Sequence, residues 1–181
     1  MLIVGDALLL VIDVQGKLAS LTFEHEKVIA NITRTIKAIE LFEIPILWSE
    51  QVPDKIGATV PEIHSVLFPL VKPIIKKEFS CWDCREFVTA LQKIGRRQIL
   101  ITGIETHVCV YQTAYDLYQH GYDVHVLADA VSSRTQANRD VALARMQKEG
   151  MTITSAEMAI CELLTTSEHP RFRDIMANIK R

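Results

Sequence analysis

Three side chains of this chain combine the types and settings that covalent chemistry at a carbonyl needs. Asp13 ends the apolar run Leu8-Leu9-Leu10-Val11-Ile12. Lys76 ends the short run Ile74-Ile75. Cys109 follows Ile99-Leu100-Ile101 by way of Thr102-Gly103-Ile104-Glu105-Thr106-His107-Val108. Each apolar run reads as a buried parallel strand, and the polar residue comes where the strand gives out. In open α/β sheets ligands bind outside the carboxyl ends of the strands. A carboxylate, an amine and a thiol delivered to that edge suit nucleophilic catalysis, with the thiol attacking and the acid carrying its proton.

Each residue also has a plainer reading. Free cysteine is often a small buried hydrophobe. Cys109, however, falls in the first turn of an expected helix, where unpaired N–H groups and the helix dipole favour a thiolate and a developing oxyanion. Asp13 follows five large apolar residues, so it belongs at a strand end and not in a core. It could still be a helix-capping or loop carboxylate. Lys76 would keep Asp13 ionised and lower the thiol pKa through its charge. Lys77 competes for that role. Adjacent strand residues face opposite ways, so only one of the two lysines enters a given pocket.

The elements that must position these groups alternate along the chain. Strands are expected at Ala7 to Ile12, Ile44 to Trp48, Ile74 to Lys76, Ile99 to Thr102, Val124 to Ala128 and Thr152 to Thr154. The stripe Val28, Ile32, Ile36, Ile39 and Phe42 has helical spacing. Further helices are expected from about Asp83 to Ile94, from Thr106 as N-cap to Gly121, after Ser132 and Ser133 to near Gly150, and from Glu157 to Leu164. The stretch from Ser49 to Pro61, with Pro53, Gly57 and Pro61, reads as a loop. The tail past Pro170 reads as a peripheral helix. Strict β-α alternation implies a parallel sheet covered on both faces, and right-handed crossovers restrict it to a doubly wound one. The fold expected is therefore α/β: one three-layer α/β/α domain over residues 1–181, Rossmann-like, with six parallel strands in the order 3-2-1-4-5-6.

Composition narrows the partners. A hydrophobic fraction of 49% and a charged fraction of 23% over 181 residues support one well-filled core. A net charge of -2 and the lack of a Lys/Arg block argue against nucleic acid. No apolar run approaches the ~20 residues of a membrane span. The N-terminus lacks the basic region and cleavage site of a signal peptide, so the expected location is cytoplasmic. There the four cysteines, Cys81, Cys84, Cys109 and Cys161, stay reduced. The turn after the first strand, Asp13-Val14-Gln15-Gly16-Lys17, lacks a dinucleotide glycine fingerprint, and no phosphate loop occurs elsewhere. No cofactor is called for.

Cys81-Trp82-Asp83-Cys84 is a C-x-x-C motif. It could be a redox pair, or half of a zinc site whose second half is missing. Its plainer role is to line a pocket or an interface through Trp82. His107 is the histidine nearest Cys109 in sequence, but residues two apart on a helix diverge, which argues against a Cys-His dyad.

Taken in order, Leu10-Val11-Ile12-Asp13-Val14-Gln15, Lys76-Lys77-Glu78-Phe79-Ser80, Gly103-Ile104-Glu105-Thr106-His107-Val108-Cys109-Val110 and Asp129-Ala130 with Ser132-Ser133-Arg134 resemble the isochorismatase-like cysteine hydrolase superfamily over almost the whole chain. Glu50-Gln51, Thr59-Val60-Pro61-Glu62 and Ala142 to Met146 resemble its isochorismatase-domain-containing members of uncertain substrate. The Trp82-Asp83 region is similar to a bacterial branch of hydrolases. The resemblance implies a catalytic triad of Asp13, Lys76 and Cys109, and selects Lys76 over Lys77. It also implies a cis peptide between Ile104 and Glu105, which brings the Glu105 and Cys109 backbone N–H groups together as an oxyanion hole. Gln15, Ser80 and Trp82 are the expected substrate-pocket residues, with further specificity from the Ser49–Pro61 loop and a neighbouring subunit.

Two departures from the family pattern direct the functional expectation. The Asp-x-His metal set of nicotinamidases is replaced here by Trp48-Ser49-Glu50-Gln51-Val52-Pro53, so no metal is expected. Ether-cleaving isochorismatases lack the cysteine, so Cys109 favours C–N hydrolysis. The expected function is hydrolysis of a small amide or carbamoyl compound through a thioester, in a homo-oligomer with no nucleic-acid or membrane partner. The alternatives are a non-catalytic binding or scaffold member of the fold and, after it, an ether-cleaving hydrolase.

Overall fold

The computed structural model describes residues 1–179. Its sheet has six parallel strands in the order β3-β2-β1-β4-β5-β6. They are β1 (Ala7–Ile12), β2 (Ile46–Gln51), β3 (Ile74–Lys76), β4 (Gln98–Ile104), β5 (Asp123–Ser132) and β6 (Thr152–Thr154). The helices are α1 (Gly16–Ser20), α2 (His25–Leu41), α3 (Pro53–Ile56), α4 (Pro61–Leu67), α5 (Arg85–Ile94), α6 (Tyr111–Gln119), α7 (Gln136–Lys148), α8 (Ala156–Leu164) and α9 (Phe172–Ile179).

Strand β1, Ala-Leu-Leu-Leu-Val-Ile, is apolar at every position and buried along its length, as a central strand covered on both faces must be. Its alternate residues feed two cores. Leu9 and Val11 pack with Ile32, Ile36 and Ile39 of α2, with Ile160 of α8 and with Ile175 of α9. Leu8, Leu10 and Ile12 pack with Phe87 and Leu91 of α5, Leu117 of α6 and Met146 of α7. The sheet topology is the expected one. The register Leu10↔Ile101 and Ile12↔Gly103 locks β1 to β4. Gly103 has φ +124°, and a Cβ there would lie 2.1 Å from the Ile12 carbonyl oxygen, so only glycine lets the two strands close.

Several element boundaries differ from the sequence expectation. β2 starts after Pro45, which has no N–H to give a ladder, and runs on through the polar residues Ser49, Glu50 and Gln51 because these pair with Ile74, Ile75 and Lys76 of β3. The segment read as a loop also holds α3, and α4 starts at its end with Pro61 in its first turn. β5 runs beyond Asp129, after a register shift opposite Ile101 and Gly103. Asp129 does not end the strand; its carboxylate accepts the Ala156 N–H at 2.8 Å and its carbonyl accepts from Asn31 at 2.8 Å. The C-terminal helix α9 is not peripheral, since Ile175 is fully buried against the first core.

Candidate active site

The turn after β1 carries Asp13, in a left-handed conformation (φ 49°) that aspartate tolerates better than most residues. Its backbone N–H donates to the Ser49 carbonyl at 3.2 Å. On the neighbouring strand the Ser49 hydroxyl donates to Asp13 Oδ1 at 2.7 Å. One strand further, Lys76 Nζ stands 2.5 Å from Asp13 Oδ2. The strand order β3-β2-β1 thus puts amine, hydroxyl and carboxylate in a row along the sheet edge.

The pleat of β3 decides between the two lysines. Ile74 and Lys76 are buried and Ile75 is exposed; Lys77 is exposed. The Lys76 ammonium also donates to the carbonyls of Glu78 (3.0 Å) and Phe79 (3.2 Å), besides its ion pair with Asp13. Burial works against its charge, but the Asp13 carboxylate, with smaller help from Cys81 and Cys109, outweighs it and holds the Lys76 pKa above its ordinary value.

Cys109 arrives from β4. The Ile104–Glu105 peptide bond is cis. The next residues form a single π-type turn, Thr106–Val110, before α6 begins. This departs from the expected α-helix capped by Thr106: the cap position is Glu105, and its carbonyl accepts the Val108 N–H (3.0 Å) and the Val110 N–H (3.2 Å). The Glu105 carboxylate accepts both the backbone N–H and the Nε–H of Arg134, at 3.0 and 3.1 Å, which moors the turn to the segment after β5. His107 lies 2.9 Å from the Ser133 hydroxyl and serves the same anchoring.

The Cys109 thiol is buried and donates to Gln51 Oε1 at 3.5 Å. Burial pushes it up to about 12, and the adjacent Asp13 carboxylate adds to the push; the Lys76 ammonium offsets only part. The sequence expectation of a resting thiolate held by a helix dipole is therefore corrected: the environment keeps the proton on sulfur. Cys81 shares the setting. It is fully buried, its thiol donates to Ser49 Oγ at 3.6 Å, and burial raises it to about 11.

The structure brings Asp13, Lys76 and Cys109 to one place, with Cys81 beside them. It gives the other expected pocket residues internal work. Gln15 is fully buried, and its side-chain amide bonds only backbone, accepting the Gln51 N–H and donating to the Gln51 and Gly57 carbonyls. Ser80 donates to Asp116 Oδ2 at 2.5 Å and accepts the Trp82 N–H. Trp82 stacks on His120 at 3.9 Å between ring centroids. Together these tie the 80–84 turn to α6. Sequence reasoning missed Ser49 and Gln51 as site residues. The usable signal was parity: extending β2 by three residues puts both on the face of Asp13 and Lys76.

All four cysteines are free thiols. Among the described residues, no three His, Cys, Asp or Glu side chains gather as a cation site. A groove of about 660 Å³ between α2 and the start of α4, lined by His25, Ile29, Thr33, Lys37 and Val60 among others, contains none of the three clustered residues.

A parallel sheet in this order, with acid, amine and thiol meeting at its carboxyl edge, defines a class, and comparison agrees with it. Residues 7–158 match the family model of the isochorismatase domain. The secreted isochorismatase effector Isc1 of Phytophthora sojae is 40% identical over 184 residues, covering 99% of this chain and 87% of that protein. Isochorismatase domain-containing protein 2A of Mus musculus is 37% identical over 179 residues, covering 96% and 82%. The chain belongs to the isochorismatase family. Among solved structures, one described as MAR1 ribonuclease from Caenorhabditis elegans superposes with a TM-score of 0.91 at 34% identity, over 99% of this chain and 92% of that one. YcaC from Pseudomonas aeruginosa, solved with hexane-2,5-diol and covalent acrylamide, gives 0.90 at 28% identity over 98% and 90%. YcaC from Escherichia coli, described as an octameric hydrolase of unknown specificity, gives 0.87 at 26% over 99% and 96%. No helix among the described residues is long and apolar enough to cross a membrane.

Proposed function

We propose that this isochorismatase-family protein is a cysteine-dependent hydrolase of a small amide or carbamoyl C–N bond. The observation that carries the reading is the buried Asp13–Lys76 ion pair, 2.5 Å long, set against the buried Cys109 thiol. A buried ion pair is weak evidence of stabilisation, and beside a thiol its sense is chemical. Lys76 sets a positive charge against the carboxylate where a proton acceptor is wanted, and Asp13 takes the Cys109 proton as sulfur attacks the carbonyl carbon. The carbonyl π pair moves onto oxygen, which the Glu105 and Cys109 backbone N–H groups receive. Losing one such donor costs roughly 2.7–4 kcal/mol of transition-state stabilisation. As the tetrahedral adduct collapses, the C–N bond breaks and Asp13 returns the proton to the departing amine, leaving a thioester. Water then attacks the thioester carbonyl and gives its proton to Asp13; the acid departs and the proton returns to sulfur.

The covalent acrylamide in the Pseudomonas aeruginosa neighbour supports the reading, since acrylamide is a small amide and an acceptor for thiols. RNA cleavage, which the Caenorhabditis elegans description names, finds less support. The net charge is -2 and the buried cation of the site is already paired with a carboxylate. We also place the protein in a reducing compartment such as the cytoplasm, as a homo-oligomer; the E. coli neighbour is described as octameric. The test is a panel of small amides and carbamoyl compounds assayed for ammonia release. Cys109→Ala should abolish turnover of any compound the wild type hydrolyses while the protein keeps its fold. Full activity of that variant would reject the mechanism.

A further inference from the structure

Gln51 is fixed in place at the site by more bonds than a strand-end glutamine requires. A single fully buried amide, Gln15, grips its backbone from both sides: the Gln51 N–H donates to Gln15 Oε1 at 2.7 Å, and Gln15 Nε2 donates to the Gln51 carbonyl at 3.2 Å. Its own side chain is then oriented by chemistry. Nε2 donates to the Lys77 carbonyl at 3.1 Å, and a carbonyl can only accept. That leaves Oε1 turned toward Cys109 Sγ at 3.5 Å. Gln51 is half-buried whereas Cys109 is buried, so Gln51 borders the path by which a ligand reaches sulfur.

We infer that Gln51 Oε1 accepts an N–H of the ligand's amide or carbamoyl nitrogen and so makes the site select N–H-bearing carbonyl compounds over esters of the same shape. The inference rests on the proposed role of Cys109. When the thiol proton passes to Asp13, Oε1 loses its donor and faces a sulfur gaining negative charge. Two acceptors 3.5 Å apart then need a donor between them. A ligand N–H supplies it, whereas an ester oxygen adds a third acceptor. Gln15 becomes the positioning residue that holds Gln51 for this task.

The test uses two small electrophiles of similar size, acrylamide and methyl acrylate, on the intact protein. In either case the Cys109 thiolate forms a C–S bond to the β-carbon, the C=C π pair moves to the α-carbon, and that carbon takes a proton. The rates of Cys109 alkylation, mapped by mass spectrometry, are expressed as an acrylamide-to-acrylate ratio and divided by the same ratio for glutathione. The wild-type ratio should exceed that of glutathione by about 2- to 12-fold, the range of one uncharged hydrogen bond. In Gln51→Met, of similar length and without the acceptor, the ratio should fall to that of glutathione. A wild-type ratio equal to glutathione's overturns the inference without any variant, even should Gln51→Met not fold. Retention of the preference in a folded Gln51→Met overturns it too. If neither reagent labels Cys109, the nucleophile reading itself fails and this inference falls with it; labelling of Cys109 without amide preference refutes this inference alone.

Discussion

Replacing Lys76 by Met should cost the fold about 3–5 kcal/mol, because it leaves a buried carboxylate without its cation. The pair is sealed, with side-chain exposures of 1% for Lys76 and 4% for Asp13. Methionine nearly matches the lysine stem, so the loss is electrostatic and not a cavity. It takes the ion-pair partner from Asp13 Oδ2 and a donor from the carbonyls of Glu78 and Phe79, while the Ser49 hydroxyl still donates to Asp13 Oδ1. Asp13→Asn should be costly for the mirror-image reason, an ammonium left buried. The double variant Asp13→Asn/Lys76→Met removes both charges, so its cost should fall short of the summed single costs by at least about 2 kcal/mol. Urea unfolding at pH 7 and one fixed protein concentration reads this through the buried Trp48. Ammonia release should be lost in all three variants, so the double variant regains stability without regaining turnover. Additive costs, or a Lys76→Met cost below about 1 kcal/mol, would refute the claim that this is a closed ion pair.

Other outcomes follow from the same geometry. Cys109→Ser should keep the fold and lose turnover, as checked by circular dichroism and ammonia detection. The Cys81 and Cys109 thiols stand at about 11 and about 12 in the folded chain against 9.0 unperturbed. Their pKa values are raised on folding, so the stability they confer is whole below pH 9 and is lost as pH climbs toward 11–12; the fold should be measurably weaker at pH 10 than at pH 7. Cys81→Ala should remove its share of the alkaline loss, measured by denaturation at the two pH values. Gly103→Ala drives a Cβ into the Ile12 carbonyl and should destabilise by about 3 kcal/mol or more, or prevent folding, read by the same titration.

The sheet was legible because its central strands carry an unbroken code. Leu8 to Ile12 and Ile99 to Ile101 are apolar on both faces, and such runs alternating with helical stripes leave few topologies. The meeting of Asp13 with Lys76 was legible for the same reason, since strand ends of one parallel sheet share an edge. The polar extension of β2 was hidden: Ser49, Glu50 and Gln51 look like loop residues, and only their pairing with β3, distant in sequence, makes them strand. Gln51 was hidden with them. The π-type turn at Thr106–Val110 was also beyond local pattern, because Thr106 is a good N-cap by type, whereas the cap is Glu105, whose side chain is held by Arg134, distant in sequence.

The surroundings of Cys109 set its chemistry. Burial and the Asp13 carboxylate raise the Cys109 thiol to about 12, so the protonated form dominates at pH 7. Under the proposed mechanism, attack by a resting free thiolate is therefore disfavoured. Sulfur must become nucleophilic only when a carbonyl is in place and Asp13 accepts the proton in the same event. The arrangement suits that order: Lys76 stands in an ion pair with the acceptor, and the burial that raises the thiol also shields it from indiscriminate electrophiles. Lys76 therefore acts on sulfur chiefly through Asp13. Its direct pull on the thiol is real but smaller than the push of burial and carboxylate. A thiol reagent without an N–H, such as methyl acrylate at neutral pH, should then label the exposed Cys161 before the buried Cys109, as mapped by mass spectrometry; faster labelling of Cys109 would refute the picture of a shielded thiol.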